Sequence, residues 1–521
     1  MYNLMTDPVI RVGTATGAIE DRSLPGVLAG LVRDEILSFS ALQPHQSHAW
    51  HAFLVQLAAM ALHQAENPPL PGDEAGWQQL LRGLTPDWPN DEPWQLVVED
   101  LQHPAFLQPP VPEGNLTGFN KHYAQPDQID VLLTAKNHDL KTGRIQSPRP
   151  DHWILALVSL QTMEGYSGAL NYGIARMNGA YGSRPGVGIR PNPLPGSHFR
   201  HDLALLQRYR DQIPEEYPDL YRAPSGTALL WLLPWDGQTS LSLERLDPYF
   251  IEICRRMRLT SRSARLGAFK ATSEAARIAA KEFNGVLGDP WTPLCADTSL
   301  SVKSLSVKVK GFDYPLVANL LLGSEEYRPA PAQSDRQTGS PGEMEFLARA
   351  LSRGKGITEG YHERRVPLPA RVRAWIGQPE QRQSLAAVAK QRVEECGVMD
   401  KKVLKPAILT MIQEAPDKLN FQDRRADPWL ARLNQQIDDA FFPALWRTLD
   451  QSVEQAKQEW QALLRTLATA TLEEAKKSLI GGGARRYKTF AAADRTFYGS
   501  LYKQFPALRN HAGAATDEEN P

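Results

Sequence analysis

Residues 165–190 read GYSGALNYGIARMNGAYGSRPGVGIR, with seven glycines, three arginines, three tyrosines, Asn171 and Asn178, and no acidic residue. Glycines let a backbone take up φ > 0 and come close to a ligand. Exposed N–H groups and arginine side chains suit phosphate, and asparagine can read base edges or the minor groove. The stretch is neither the GxxxxGK[ST] of a P-loop nor the GxGxxG of a dinucleotide turn. Composition alone leaves two readings open, a polyanion-binding loop and a structural loop of several turns.

Three further basic segments surround it. Residues 134–150, TAKNHDLKTGRIQSPRP, set Lys136, Lys141, Arg144 and Arg149 against Asp139, with Asn137 and His138 as further donors. This is either a nucleic-acid-contacting loop or a solvated one. Between 255 and 281 eight bases (Arg255, Arg256, Arg258, Arg262, Arg265, Lys270, Arg277 and Lys281) oppose Glu274 alone. That density favours a track along a phosphate backbone, bound by ion pairing and counterion release. Residues 352–365, SRGKGITEGYHERR, place Gly354, Gly356 and Gly360 among cations, as an insertable tip or as an interdomain connector.

The whole chain carries no such bias. Its 521 residues hold 58 Lys and Arg against 59 Asp and Glu, a formal net charge of −1. A dedicated nucleic-acid binder is usually strongly basic, so any polyanion site here must be local. The length calls for two or three domains. Cys254, Cys295 and Cys396 are too few and too scattered for a disulfide framework or a CxxC zinc pair. The opening MYNLMTDPVIRVG lacks a signal-peptide core, and no apolar run approaches the roughly 18 residues of a membrane span. A cytoplasmic protein is expected, with no membrane partner.

Periodicity predicts a short hairpin over Pro8–Val12 and Ala18–Ile19 and a helix over about 47–65. ALLWLLPW (228–235) and the alternating SLSVKVKGF (304–312) are strand candidates. Beyond about 370 glycine becomes rare and apolar stripes recur at helical spacing, first Leu430, Leu433, Ile437, Ala440 and Phe441, then Trp460, Leu463, Leu464 and Leu467. Pro443 is expected to break or kink the chain between those stripes, and Gly481-Gly482-Gly483 precedes a last helix. The fold class expected is α+β. A large mixed N-terminal domain with irregular loops (1–368) leads to a C-terminal four-helix bundle (369–510) and a disordered tail (511–521).

Catalytic patterns are weak. His45, His48 and His51 lack a neighbouring carboxylate or cysteine in sequence and read as structural. His138-Asp139 and His201-Asp202 are the HD pairs of a metal phosphohydrolase, which would need further ligands. No GxSxG elbow or HExxH is present. Cys254 and Cys396 read as core residues in helical contexts. No catalytic residue, metal or cofactor is predicted.

At its loops the sequence resembles CasA, the large subunit of the type I-E CRISPR surveillance complex Cascade. The resemblance rests on HPAFLQ (103–108), LLTAKNHDLK (132–141), LQTMEGYSGALNYGIARMNGAYGSRP (160–185), GDPWTPL (288–294) and RGKGITEGYHERRVPLP (353–369), in that order along the chain. It implies a non-catalytic subunit that recognises the protospacer-adjacent motif in double-stranded DNA from the minor groove. Such a subunit helps open the duplex, stabilises the R-loop and recruits a helicase–nuclease in antiviral defence. The implied partners are target duplex DNA, the CRISPR RNA-containing backbone, small and Cas5-type subunits, and the helicase–nuclease.

Carried over by position, Gly168, Asn171, Tyr172, Gly173, Arg176, Asn178 and Gly179 match the DNA-binding glycine loop. Lys136, Asn137, His138 and Lys141 match the mobile nucleic-acid-contacting loop. The wedge falls at Lys355, Thr358 and Glu359, where a glutamine can serve in relatives, and Lys270, Arg277 or Lys281 could supply a lysine finger. The glycine loop is longer than the version with consecutive glycines. The zinc-binding cysteines of some relatives are lacking. Two rivals remain, an HD-type phosphohydrolase or nuclease and a protein scaffold whose basic loops contact only RNA.

Overall fold

A computed structural model describes residues 2–131, 144–179, 184–191, 193–222, 226–263, 265–296, 302–334, 342–354, 357–478 and 484–510. Within them the chain forms two compact units, Met1–Phe312 with Ser324–Arg373, and Asp313–Gly323 with Ala374–Pro521. The 313–323 segment thus belongs to the helical unit although it lies well before residue 369.

The first unit opens as alternation predicts. Strand β1 (Ile10–Thr14) points Ile10, Val12 and Thr14 inward and pairs antiparallel with β2 (Ile19–Arg22). After α1 (Leu24–Val32), capped by the Ser23 side chain accepting from the Gly26 N–H, β3 (Ile36–Phe39) pairs with the other edge of β1. Helix α2 (Ser47–Gln64) is buried on nearly every side, which is why its apolar residues exceed a single stripe. Helix α3 (Glu74–Gly83) is amphipathic and buries Trp77 and Leu81. Residues 84–131 are largely irregular apart from β4 (Lys121–Tyr123) and single-turn helices.

Helix α4 (Pro150–Met163) lies in the core, and β5 (Gly186–Pro191) follows the glycine loop. Helices α5 (Pro195–Tyr209) and α6 (Ile213–Glu216) precede β6 (Thr227–Leu229) and β7 (Leu246–Ile251), a parallel pair. The apolar run 228–235 is therefore strand only at its start; it continues as a 3-10 turn, Leu230–Leu232, in which Leu230 and Trp231 are still buried. Strands β8 (Arg256–Arg262) and β9 (Arg265–Ala271) form a hairpin, and β4 joins the free edge of β9.

Strands β10 (Leu294–Cys295) and β11 (Lys303–Ser304) are short. The alternating 304–312 segment is mostly not strand: Leu305 and Val307 are buried from a loop that turns at Lys308–Gly311, and Val309 is exposed. Helix α7 (Tyr314–Leu322) belongs to the second unit. The first unit resumes with β12 (Tyr327–Arg328), α8 (Pro331–Ser334), and the long hairpin β13 (Met344–Gly354) and β14 (Ile357–Leu368). Strand β13 also pairs with β5, giving the order β14-β13-β5.

The second unit is helical: α7, the part of α9 (Ala370–Gly377) from Ala374 on, α10 (Pro379–Val398) running through a π-helical turn into α11 (Lys405–Ile412), α12 (Asp427–Arg447), α13 (Val453–Ser478), α14 (Ala484–Gln504) and α15 (Ala507–Asn510). The α10–α11 segment, α12, α13 and α14 are the four long members of a bundle. Helix α12 does not end at Pro443 but continues to Arg447, and Leu433, Ile437, Phe441 and Leu445 along it are fully buried. Gly481–Gly483 and the 511–521 tail lie outside the described residues.

Candidate nucleic-acid interface

Glu164, the C-cap of α4, turns the chain from helix into extended backbone at φ −71, ψ 122. Its carbonyl accepts the Ile174 N–H at 3.0 Å, closing the base of a loop over 164–174. Its buried carboxylate accepts from Arg353 Nη2 at 2.9 Å and lies 3.7 Å from Arg255 Nη2. Arg353 sits at the end of β13, and Arg255 immediately precedes β8. On the facing strand of the hairpin, Thr358 Oγ1 donates to the Val131 carbonyl at 2.9 Å. The preceding residue, Asp130, accepts from His45 Nε2 at 2.6 Å and Gln46 Nε2 at 2.7 Å. Thus the entry to the 132–143 segment, the glycine loop and the tip end of the hairpin meet in one place. Lys136, Asn137, His138, Lys141 and Lys355 themselves lie outside the described residues.

The loop is held from beneath by Arg255. Its guanidinium donates to the Tyr172 carbonyl, to the Gly165 carbonyl at 2.8 Å and to Ser167 Oγ at 3.3 Å. The Ser167 N–H donates to the Asn171 carbonyl and the Asn171 N–H to the Gly168 carbonyl, each at 3.1 Å. Gly168 and Gly179 have φ of +111° and +112°. At Gly173 an added Cβ would lie 2.5 Å from the Gly165 carbonyl carbon, so no other residue fits.

Several residues expected to read DNA are committed to this architecture. Arg176 is 1% exposed; it pairs with Glu252 at 3.2 Å, donates to the Phe250 and Pro248 carbonyls, and stacks 3.8 Å above the Phe250 ring. It is a structural cation, not a groove reader. Asn178 donates to the Ser304 carbonyl at 2.8 Å, and Tyr172 Oη to the Glu274 carbonyl at 2.9 Å. Asn171 Nδ2 donates to the Ala169 carbonyl, and its Oδ1 is buried. Among the described residues of 165–179, the most exposed are Ala169 and Leu170.

The 255–281 run is corrected in the same way. Arg255, Arg258 and Arg277 are buried. Arg258 Nη1 donates to the carbonyls of His103, Gln108 and Pro109, and Arg277 to those of Leu230, Leu233 and Pro234. Burial pushes both guanidinium groups down to about 10. These arginines satisfy carbonyls of irregular segments that would otherwise be stranded. Arg277 is therefore no finger. Lys281 is exposed, and Lys270, half-buried on β9 opposite Lys121, is pushed down to about 8 by burial and then by Arg255. Exposed cations remain at Arg262 and Arg265. In the wedge segment Thr358 is fully buried, which removes it as an inserting side chain, whereas Glu359 is partly exposed.

His51 and the His201-Asp202 pair converge elsewhere in this unit, while Asp139, like His138, lies outside the described residues. Asp202 Oδ2 accepts from His51 Nε2 at 2.8 Å and Trp291 Nε1 at 2.7 Å and lies 3.3 Å from His198 Nε2, while Oδ1 faces His201 Nδ1 at 3.0 Å. His51, His198 and Asp202 bring ligand-type atoms within 4.8 Å of one another. The tautomers argue against ligation. Arg190 Nη1 faces His198 Nδ1 at 3.4 Å and can only donate, so His198 keeps its proton on Nε2, toward Asp202. The carboxylate is a buried acceptor for surrounding N–H groups, with no oxygen turned to solvent. The Cys254 thiol, in the loop after β7 and not in a helix, is pushed up to about 11 by burial, and that of Cys396 in α10 to about 12. Neither is an activated nucleophile.

No family model matches the chain, and no curated protein matches it in sequence. Solved structures do. Thermus thermophilus CasA (Cse1) superposes with a TM-score of 0.60 at 16% identity, covering 96% of this chain and all (100%) of that one. The fold is that of CasA. Thermobifida fusca Cse1 superposes at 0.61 and 15% identity, over 97% of this chain and 98% of its own. A chain of a CRISPR RNA-guided surveillance complex does so at 0.56 and 13%, over 95% and 99%. On the CasA scaffold of this chain, loop 164–174 and the β13–β14 hairpin share the Glu164 carboxylate. Among the described residues, no helix is long and apolar enough to cross a membrane.

Proposed function

We propose that this chain is a CasA-type large subunit of a type I-E CRISPR RNA-guided surveillance complex, and that it recognises the protospacer-adjacent motif in duplex DNA. The observation that carries the reading is the junction at Glu164, where the glycine loop and the hairpin are clamped together beside the start of the 132–143 segment. The loop faces the minor groove, whose degenerate donor and acceptor pattern tolerates several motifs. The hairpin tip, with Lys355 and Glu359, enters beside the motif and opens the first base pairs, which costs a few kcal/mol. The guide RNA reads the rest by pairing. Duplex and heteroduplex are nearly balanced in stability, so protein contacts decide the exchange. Lys136, Asn137, His138 and Lys141 contact nucleic acid, and Lys270 or Lys281 supplies the finger.

The subunit carries no catalytic residue of its own. It works in the cytoplasm with the backbone, small and Cas5-type subunits, holds the R-loop with its helical bundle, and recruits the helicase–nuclease. A chain with a net charge of −1 fits a subunit that shares its DNA footprint with basic neighbours.

The test compares two targets on the complex assembled with guide RNA, an intact motif-bearing duplex and the same target with a pre-opened bubble. Lys355→Ala with Glu359→Ala is expected to weaken the duplex much more than the bubble. Equal losses on both targets would sink the duplex-opening role.

A further inference from the structure

Among the described residues of the glycine loop, Leu170 is the one large apolar side chain turned outward. It is 44% exposed and has φ +64°, a left-handed conformation that bulky residues rarely adopt. Its backbone is over-determined. The Asn171 N–H closes the turn on the Gly168 carbonyl, Asn171 Nδ2 holds the Ala169 carbonyl, and the Ser273 N–H just beyond β9 donates to the Leu170 carbonyl at 3.1 Å. Nothing in the packing calls for leucine here, and glycine would satisfy the same backbone at lower conformational cost. Strained residues held this way concentrate where a side chain meets a ligand.

We infer that Leu170 is the base-contacting residue of the loop. Its isobutyl group packs into a base step of the duplex from the minor groove, and the polar residues around it shape and hold the tip. Apolar wedges, leucine among them, unstack base steps in this way in minor-groove binders. The inference rests on reading the loop as duplex-facing. Nucleic acid is favoured over a protein partner because 165–190 contains no acidic residue, and because β9, which ends two residues before the Ser273 anchor, carries Lys270 opposite Lys121.

The experiment first selects, with the wild-type complex, a flanking motif from a randomised duplex library. It then compares wild type, Leu170→Gly, Leu170→Asn and Leu170→Met on that duplex and on a pre-opened bubble, with 2-aminopurine at the step beside the motif. Gly and Asn both tolerate the left-handed backbone, so neither variant is expected to fold less well. Both should bind the duplex about ten-fold more weakly, ~1.4 kcal/mol, with the bubble unchanged and the 2-aminopurine rise lost; Leu170→Met should retain both. Wild-type affinity in the Gly and Asn variants overturns the assignment, as does failure of those variants to assemble with the other subunits, which would make Leu170 a protein contact. If the wild-type complex selects no motif, it is the motif-reading function that fails.

Discussion

Arg353 Nη2 donates to Glu164 Oε1 at 2.9 Å, and both side chains are buried. This pair locks the end of β13 to the root of the glycine loop, with Arg255 Nη2 3.7 Å from the same carboxylate oxygen. Taking away one member of a buried ion pair leaves an uncompensated charge and typically costs about 3–5 kcal/mol. Glu164→Ala should lower unfolding stability by about that amount, because it leaves the buried charges of Arg353 and Arg255 without their shared carboxylate. Denaturant titration of the purified chain measures it; a change below about 1 kcal/mol would mean that water satisfies the arginines.

Charge on the glycine loop and on the 255–281 segment divides into two classes that mutagenesis can separate. Arg176→Ala leaves Glu252 buried and unpaired and should cost about 3–5 kcal/mol of stability. Arg262→Ala and Arg265→Ala, at exposed positions, should change stability by no more than about 0.5 kcal/mol. If these two touch phosphate in the complex, each substitution lowers the slope of log affinity against log salt by about 1. Loss of DNA binding by Arg176→Ala in a fully folded complex would contradict its structural role.

What could be read without coordinates follows from the range of each signal. The β1–β2 hairpin, α2 and the C-terminal helices announce themselves by period, which is local. The loop, the hairpin tip and the 132–143 segment stood out by composition, and the resemblance joined them. Burial is not local. Arg258 and Arg277 look like part of a phosphate track, and Arg176 like a groove reader, until the carbonyls of 103–109, 230–234 and 248–250 are seen around them. In the same way 304–312 alternates like a strand because a loop happens to bury Leu305 and Val307. His51 and His201-Asp202 are far apart in sequence, so their shared carboxylate hub was invisible. Leu170 gave no signal at all, since its left-handed φ is visible only in the folded backbone, where Ser273, about a hundred residues away, meets its carbonyl.

Asp202 predicts an outcome for the HD reading. Asp202→Ala removes the acceptor of His51, Trp291 and His201 together and should destabilise the fold by about 3 kcal/mol or more. His201→Ala should leave the chain without any change in nuclease behaviour. Metal-dependent cleavage by the purified wild-type chain that vanishes in His201→Ala would restore the phosphohydrolase.

Acid should weaken the first unit through its buried histidines. Burial holds His48 and His198 well below 6.5 and lowers His51 as well. A histidine whose pKa is depressed on folding binds its proton more readily in the unfolded chain. Stability is therefore at its plateau above about pH 6.5 and falls as the pH drops through that value. Each histidine that stays neutral in the folded state contributes up to about 1.4 kcal/mol of loss per pH unit. Asp202, held well below its ordinary range by the histidines around it, keeps its own contribution until much lower pH. The decline between about pH 6.5 and 4.5 therefore belongs mainly to the histidines. His48, edge-on to Trp291 with Nε2 buried and unbonded, is the one to remove. His48→Leu should flatten the stability–pH slope in this window by about one proton. Chemical denaturation at half-unit pH steps reads it out, and an unchanged slope would mean that His48 is already protonated in the folded chain.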